Sequence, residues 1–387
     1  MIAEESLQTK IEELDWDFAD ADTQYLTHSI HRYSGKFIPQ IARQAVELLT
    51  QPGELVLDSY CGSGTTLLEC SLTGRRSIGI DLNPLAVLIA RVKTTPISRQ
   101  KLLACVEGIR RDLRPLAGPT GGQSLLDLIP HDPFEQARQD WRWSDPWYVR
   151  WFQDGVRQEL ITIHKRIMEE PDESCRNVGL VAFSDILRKS SNAHSSYPNV
   201  MLDKKKGKVP PAILRFLDRL EQITTAVLGL EKALAGKPLP EVVPGNARAV
   251  PLEASSVDAV ITHPPYIASI PYAEYGLLSI TWLGHDAKQL DKDLTGGRRQ
   301  SSKVVEQFRD GYDGMLREAY RVLRPGRILL LMVGNPVVKG ERIDLAEMSK
   351  ELATGAGFQL AAEHRRNGIN RRANLMGHED LLLFQKL

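Results

Sequence analysis

Two segments far apart in the chain carry residue types that can do chemistry: Val56-Leu57-Asp58-Ser59-Tyr60-Cys61-Gly62-Ser63-Gly64-Thr65 and Ile261-Thr262-His263-Pro264-Pro265-Tyr266. Each opens on apolar, β-branched residues that read as a buried parallel strand, then breaks into residues that cannot continue one. In open α/β sheets, ligands and chemistry collect at such strand ends. In the first segment, Gly62 and Gly64 let backbone N–H groups approach a ligand where a helix begins. In the second, consecutive prolines stiffen the turn and remove backbone donors. The two segments together point to transfer onto an exocyclic amine, whose lone pair is delocalised into a ring and becomes nucleophilic when acceptors hold its hydrogens out of that plane.

Other chemistries are disfavoured by what the motifs lack. No Gly-Lys-Ser/Thr follows the glycine loop, and the three-glycine dinucleotide spacing is missing, which argues against a nucleoside triphosphate or nicotinamide site. Asp81 ends a second strand, where its two oxygens can accept from ribose hydroxyls. Asn246, followed by Ala247, ends a third, within reach of an adenine amino group. Attack on a ring carbon would need a cysteine nucleophile, usually after proline, and no Pro-Cys occurs. Cys61 reads as a small loop residue. The four cysteines, Cys61, Cys70, Cys105 and Cys175, have neither paired nor Cys/His spacing, so no metal site or disulfide framework is expected.

The elements that must position these residues follow from periodicity. Apolar spacing predicts a helix over 38–49, ended by Gln51-Pro52-Gly53, then a strand over 55–58, a helix from Thr65 that stops at Gly74, and a strand over 77–81. A helix opens at Asn83-Pro84, with proline in its favoured first turn. From 98 to 240 only helical periodicity appears. Its tryptophans, Trp141, Trp143, Trp147 and Trp151, read as core in preference to base-stacking residues. Strand character returns at Val242-Val243, 257–261, 328–333 and 381–384, with helices over 304–323 and 345–356. The expected fold is α/β: a doubly wound, mostly parallel Rossmann-like sheet formed by 31–97 and 241–387, interrupted by a helical insertion at 98–240. Residues 1–30 are expected to be a polar lead-in without a core of its own.

Composition sets the outer bounds. The 387 residues hold 49 Lys plus Arg against 49 Asp plus Glu, so net charge lends nucleic-acid binding no support. Basic residues nevertheless cluster at Lys204-Lys205-Lys206-Gly207-Lys208, Arg298-Arg299, and Arg365, Arg366, Arg371 and Arg372. No run is long and apolar enough for a bilayer and the N-terminus is acidic, so no membrane partner and a cytoplasmic location are expected. Glycines at 118–123 read as a flexible connection. The polar loop at 190–208, with Asn192, His194, Ser195 and Ser196, and the loop Gly296-Gly297-Arg298-Arg299-Gln300 are candidates for reading base edges and phosphates.

With these residues in order, the chain resembles the amino-directed DNA methyltransferases that form N4-methylcytosine or N6-methyladenine, most closely the N4-cytosine branch. The resemblance covers roughly 31–93 and 241–387. It implies S-adenosylmethionine as cofactor and double-stranded DNA with a flipped target base as partner. The family pattern Asp-Pro-Phe-x-Gly-Ser-Gly-Thr is carried by Asp58 to Thr65, with Ser59 and Tyr60 as departures; Lys36 and Phe37 resemble the stretch that caps the methionine end, and Asp81 and Asn83 belong to the ribose-binding element. By the same resemblance His263 and the Pro264 carbonyl accept the amine hydrogens, Pro265 gives rigidity and Tyr266 stacks on the base. His263 stands where that branch usually has Ser, and only an unprotonated ring can accept. Adenine-N6 or RNA base methylation, or a catalytically silent DNA-binding subunit, stay open as alternatives. So do a cognate restriction enzyme and the oligomeric state.

Overall fold

The computed structural model describes residues 6–117, 132–197, 199–267, 270–296, 303–338, 340–367 and 378–387. The glycine-rich 118–123 segment, Arg298-Arg299, Arg371 and Arg372 lie outside them. The strands are β1 (Leu55–Asp58), β2 (Arg76–Asp81), β3 (Glu241–Pro244), β4 (Val257–Thr262), β5 (Leu323–Gly334), a short hairpin of β6 (Val337–Val338) and β7 (Glu341–Arg342), β8 (Phe358–Arg366) and β9 (Glu379–Lys386). Seven of them form one sheet in the order β3-β2-β1-β4-β5-β9-β8. The pairings from β3 through to β5 are all parallel, and β9 runs antiparallel to both its neighbours. This is the expected mostly parallel, doubly wound sheet.

Growth of the sheet reverses at β1. From there β2 and β3 extend it one way while β4 and β5 extend it the other, so the carboxyl ends of β1 and β4 meet at a topological switch point. The two motifs are thereby brought together.

Helices α1 (Leu7–Glu13), α2 (Pro39–Leu49), α3 (Thr65–Leu72) and α4 (Pro84–Thr94) precede the insertion. Asn83 caps α4 by accepting from the Leu85 N–H, and Pro84 takes the first turn, where its missing donor costs nothing. Successive β4 residues face opposite ways. Ala259 and Ile261 cluster with Ile41 and Ala45 of α2, while Val260 joins the cluster holding Met315 and Ala319 of a later helix. The lead-in packs into the core of the sheet: Ile11 and Trp16 are buried in the cluster with α2, and the Trp16 carbonyl accepts from the Arg366 Nε at 2.8 Å.

Residues 98–240 supply α5 (Arg99–Leu113), α6 (Glu135–Arg138), α7 (Pro146–Trp151), α8 (Asp154–Met168), α9 (Glu173–Leu187) and α10 (Ala212–Ala233) and, among the described residues, none of the sheet strands. Their core is continuous with that of α4: Leu88, Ile89 and Val92 belong to one cluster with Val181, Leu220 and Ile223. The chain continues through α11 (Tyr272–Tyr275), α12 (Leu277–Trp282), α13 (Ala287–Asp293), α14 (Val304–Val322) and α15 (Leu345–Gly355). Trp282, which ends α12, is sunk into the insertion. It lies 5.0 Å from the rings of Tyr148 and Phe183, with the Arg142 guanidinium 5.1 Å from its ring centroid. Of the four insertion tryptophans, Trp151 is core at 6% exposure, whereas Trp141 stands 65% exposed.

Candidate active site

The glycine loop is built by packing that only glycine permits. Gly64, at φ +77°, caps α3, and a Cβ there would sit 3.0–3.1 Å from Ala90. Beneath the loop Asp58 is almost wholly buried. Its Oδ1 accepts from the Thr262 hydroxyl at 2.8 Å and the Tyr60 N–H at 3.2 Å, so it joins the ends of β1 and β4. Burial raises its pKa to about 6 against those hydrogen bonds. Ser63 is held from behind by the ammonium of Lys93, which is itself buried and 3.0 Å away. Desolvation pushes that lysine well below its ordinary pKa.

Asp81 Oδ2 accepts from the Gly62 N–H and Oδ1 from the Asn83 N–H, both at 2.8 Å. Burial raises this carboxyl, too, to about 6. It opens on a cavity walled by residues of both motifs. Two further walls need glycine. A Cβ on Gly62 would stand 3.2 Å from the Tyr33 ring, and one on Gly35 would fall 2.5 Å from the Tyr272 hydroxyl. Among the described residues the lining includes the carboxylates Asp81 and Asp293 and no lysine or arginine. Such a wall disfavours phosphate and suits a cationic ligand bearing hydroxyls.

At the end of β4, His263 Nε2 lies 2.7 Å from the Tyr266 hydroxyl, which in turn donates to Glu379 Oε1 at 3.2 Å. The Phe37 ring packs 5.2 Å from the imidazole. Burial lowers the pKa of His263, with the Glu379 charge opposing, so the ring is neutral at neutral pH. The ring also meets the Gly35 backbone carbonyl.

Of the residues expected from sequence, Tyr60, Gly62, Asp81, Asn83, Asn246, Ala247, His263 and Pro265 line the cavity. Asp58, Cys61, Ser63, Gly64 and Thr65 stand behind it and hold the loop. Lys36 is turned away, its ammonium donating to the His28 carbonyl at 2.8 Å, and Phe37 touches the site only through His263. Pro264 does not line it either. Tyr266 is 8% exposed with its hydroxyl engaged, so its ring is not an open stacking face. That face is offered by Tyr33 and Tyr272, stacked with centroids 5.8 Å apart, and both line the cavity. Sequence reasoning assigned neither to the site, although Tyr33 lies in the Lys36-Phe37 stretch and Tyr272 shortly after the proline pair. Asp293, Leu294 and Thr295 gave no signal at all.

A second cavity shares Tyr33, Asn83 and Tyr272 with the first and runs out between α9 and α11–α12, past Arg32, Arg188 and Lys189. Lys204, Lys205 and Lys208 are exposed, as are Ser195 and Ser196. Asn192 is tied into the fold, its side chain donating to the Arg150 carbonyl. The pair at 365–366 is not a basic patch. Arg365 binds Asp380, and the buried Arg366 binds Glu379. Among the described residues, no helix is long and apolar enough to cross a membrane.

Fold and cavity together define an open α/β enzyme-like site at a topological switch point, with a glycine-floored ligand pocket beside a rigid turn bearing acceptors. A family model described as DNA methylase, for N6- and N4-directed enzymes, matches residues 8–91. The Type II methyltransferase M.MvaI of Kocuria varians is 25% identical, over 83% of this chain and 80% of its own. The Type II methyltransferase M.MjaII of Methanocaldococcus jannaschii is 23% identical, over 92% of this chain and 80% of its own. The chain is thus similar to the amino-directed DNA methylases, enzymes whose methyl donor is S-adenosylmethionine.

Proposed function

We propose that the chain methylates the exocyclic N4 amine of cytosine within a specific double-stranded DNA sequence. The observation that carries this is the position of His263 and Pro265, at the carboxyl end of β4, in the wall of the cavity that Asp81 and the glycine loop floor. S-adenosylmethionine, when bound, supplies a methyl group activated by its sulfonium. The chain's residues do the rest. Asp81 takes ribose hydroxyls, Asn246 and Ala247 flank the adenine, and the anionic wall favours the sulfonium charge. His263 and the Pro264 carbonyl accept the two amine hydrogens and turn the nitrogen lone pair out of the ring plane. The proline pair keeps these acceptors fixed, so little reorganisation is needed during reaction.

The stacked pair Tyr33 and Tyr272 offers the flipped base its aromatic face. Arg32 and Lys189 in the adjoining cavity, with the exposed lysines of 204–208, suit the phosphates of the displaced strand. The preference for cytosine over adenine rests on the Thr262-His263-Pro264-Pro265-Tyr266 context.

The test is to incubate the protein with tritiated S-adenosylmethionine and unmethylated DNA, then identify the labelled nucleoside by mass spectrometry. Label in N4-methylcytosine supports the proposal. Label in N6-methyladenine keeps the site and overturns the base. Cofactor binding with no labelled DNA or RNA would make the chain a silent subunit.

A further inference from the structure

We propose that Tyr197 and Met201, on a small hairpin beside the active site, enter the base stack of the duplex and fill the gap left when the target base turns out. The inference rests on the functional reading above and adds to it the surface that opens the DNA. Extruding a base forfeits its stacking and pairing, and side chains inserted between base steps are one way to offset that cost.

The hairpin is built by residues 192–203. The Asp203 N–H donates to the Asn192 carbonyl at 2.8 Å, Ala193 bridges to Leu202, and the His194 N–H donates to the Met201 carbonyl at 2.9 Å. Two cations hold its backbone: Lys206 donates to the Ala193 carbonyl at 2.8 Å and Arg188 to that of His194 at 3.1 Å. Near the tip, the Asn199 amide donates to the carboxylate of Glu274 in α11 at 3.1 Å, two residues beyond Tyr272. Val200 lines the second cavity, which shares Tyr33 and Tyr272 with the cofactor pocket. The tip is thus fastened to the helix that carries the stacking face, beside the cavity that leads to it.

On this held backbone two large apolar side chains stand in water, Tyr197 at 53% exposure and Met201 at 49%. Singly exposed apolar residues are ordinary on a protein surface. These two differ in their setting. The His194 ring packs against Tyr197 at 5.4 Å and near right angles, which steadies the phenol, and the exposed Lys204 and Lys205 follow directly in the chain. Lysines here take phosphates and fix the duplex over the hairpin without reading sequence. A flat ring can then stack on whichever base it meets, and the flexible thioether fills the space that remains.

The test compares two short duplexes of one sequence, intact and with a central abasic site, by fluorescence anisotropy in the presence of S-adenosylmethionine. The abasic duplex already holds the gap, so wild type should bind it roughly 10–100-fold more tightly, the worth of one stacked base. The double variant Tyr197→Ala/Met201→Ala should lose that preference and bind intact duplex as wild type does, whereas Tyr197→Phe, which keeps the ring, should retain it. A 5-iodouracil placed next to the gap should photo-cross-link to Tyr197, as read by peptide mass spectrometry. Unchanged affinity for S-adenosylmethionine shows that the variants are folded. A preference that survives the double substitution, or that wild type lacks, overturns the wedge. Neither readout needs turnover, so a protein that shows the preference and methylates nothing would keep the wedge and sink the functional reading.

Discussion

Thr262, the last residue of β4, gives its hydroxyl hydrogen to the Oδ1 of Asp58, the last residue of β1, at 2.8 Å, and the Thr262 oxygen accepts from the Tyr60 N–H at 3.1 Å. One hydroxyl thus ties the loop of the cofactor pocket to the turn that bears His263. Replacing it with an isosteric methyl takes one hydrogen bond from the buried Asp58 carboxylate and leaves it the Tyr60 N–H. We expect Thr262→Val to lose about 1–3 kcal/mol of unfolding free energy. It should also weaken cofactor binding and turnover together, as read by denaturant titration, calorimetry and single-turnover kinetics. A variant as stable as wild type would mean that the tie is dispensable.

Asp81 lines the pocket with a pKa raised to about 6, so the proposed contact to the cofactor's hydroxyls predicts a pH-dependent affinity. Ionised above that value, it accepts from hydroxyls; protonated below it, it loses acceptor strength. Affinity for S-adenosylmethionine should therefore fall as pH drops through about 6. Asp81→Asn should remove the dependence and cost roughly 10–100-fold in Kd, corresponding to a hydrogen bond to a charged group of about 1.5–3 kcal/mol. Calorimetric titration over that pH range checks both; a flat profile for wild type would remove Asp81 from the binding site.

With cofactor saturating, kcat should show a separate acid limb set by His263. Burial holds its pKa below the ordinary 6.5, so the ring accepts at neutral pH and ceases to as it protonates. His263→Ser should retain methyl transfer and lose that limb. If both proteins share one pH profile, the histidine is not the acceptor.

A different histidine bears on stability. His164 Nδ1 lies 2.9 Å from Arg142 Nη1, which can only donate, and burial and that cation hold the histidine's pKa down to about 4. Between that value and 6.5 the unfolded chain binds the extra proton, so the native state loses free energy as pH falls across this window. The loss from this one group reaches at most about 3 kcal/mol. Asp58 and Asp81 act in the opposite sense, since their raised pKa values favour the native state as they protonate. The comparison that isolates His164 is wild type against His164→Gln by urea unfolding at neutral and mildly acid pH, where the variant should be less acid-sensitive.

Much of this site could be read from residue order because its parts are local. The strand ends, both glycines of the loop, Asp81 and Asn83 at an α-helix start, and the proline pair each announce themselves within a few residues. What stayed hidden depends on distant partners. Tyr266 looks like a free ring until Glu379, 113 residues on, takes up its hydroxyl. The strand β8 escaped notice because Gln359, Leu360, Glu363 and Arg365 are exposed along a sheet edge and break the apolar alternation. The start of β5 is likewise masked by Arg324-Pro325-Gly326, which reads as a turn and lies within the register shift between β5 and β4. Lys36 illustrates the reverse error, a motif residue whose charge turns inward to a carbonyl.

The burial of Trp282 among Tyr148, Phe152, Phe183 and Arg142 bears on how such a protein can change its sequence preference. The indole ends the helix that follows the His263 turn, while every one of its named neighbours belongs to the helical insertion. A graft exchanging 98–240 for the corresponding stretch of a relative would leave that indole in an ill-fitting socket and strip α4 of its cover. The insertion and the helix beyond the His263 turn thus pack as one unit, and a workable chimera would have to carry Trp282 and the outer face of α4 along with the insertion.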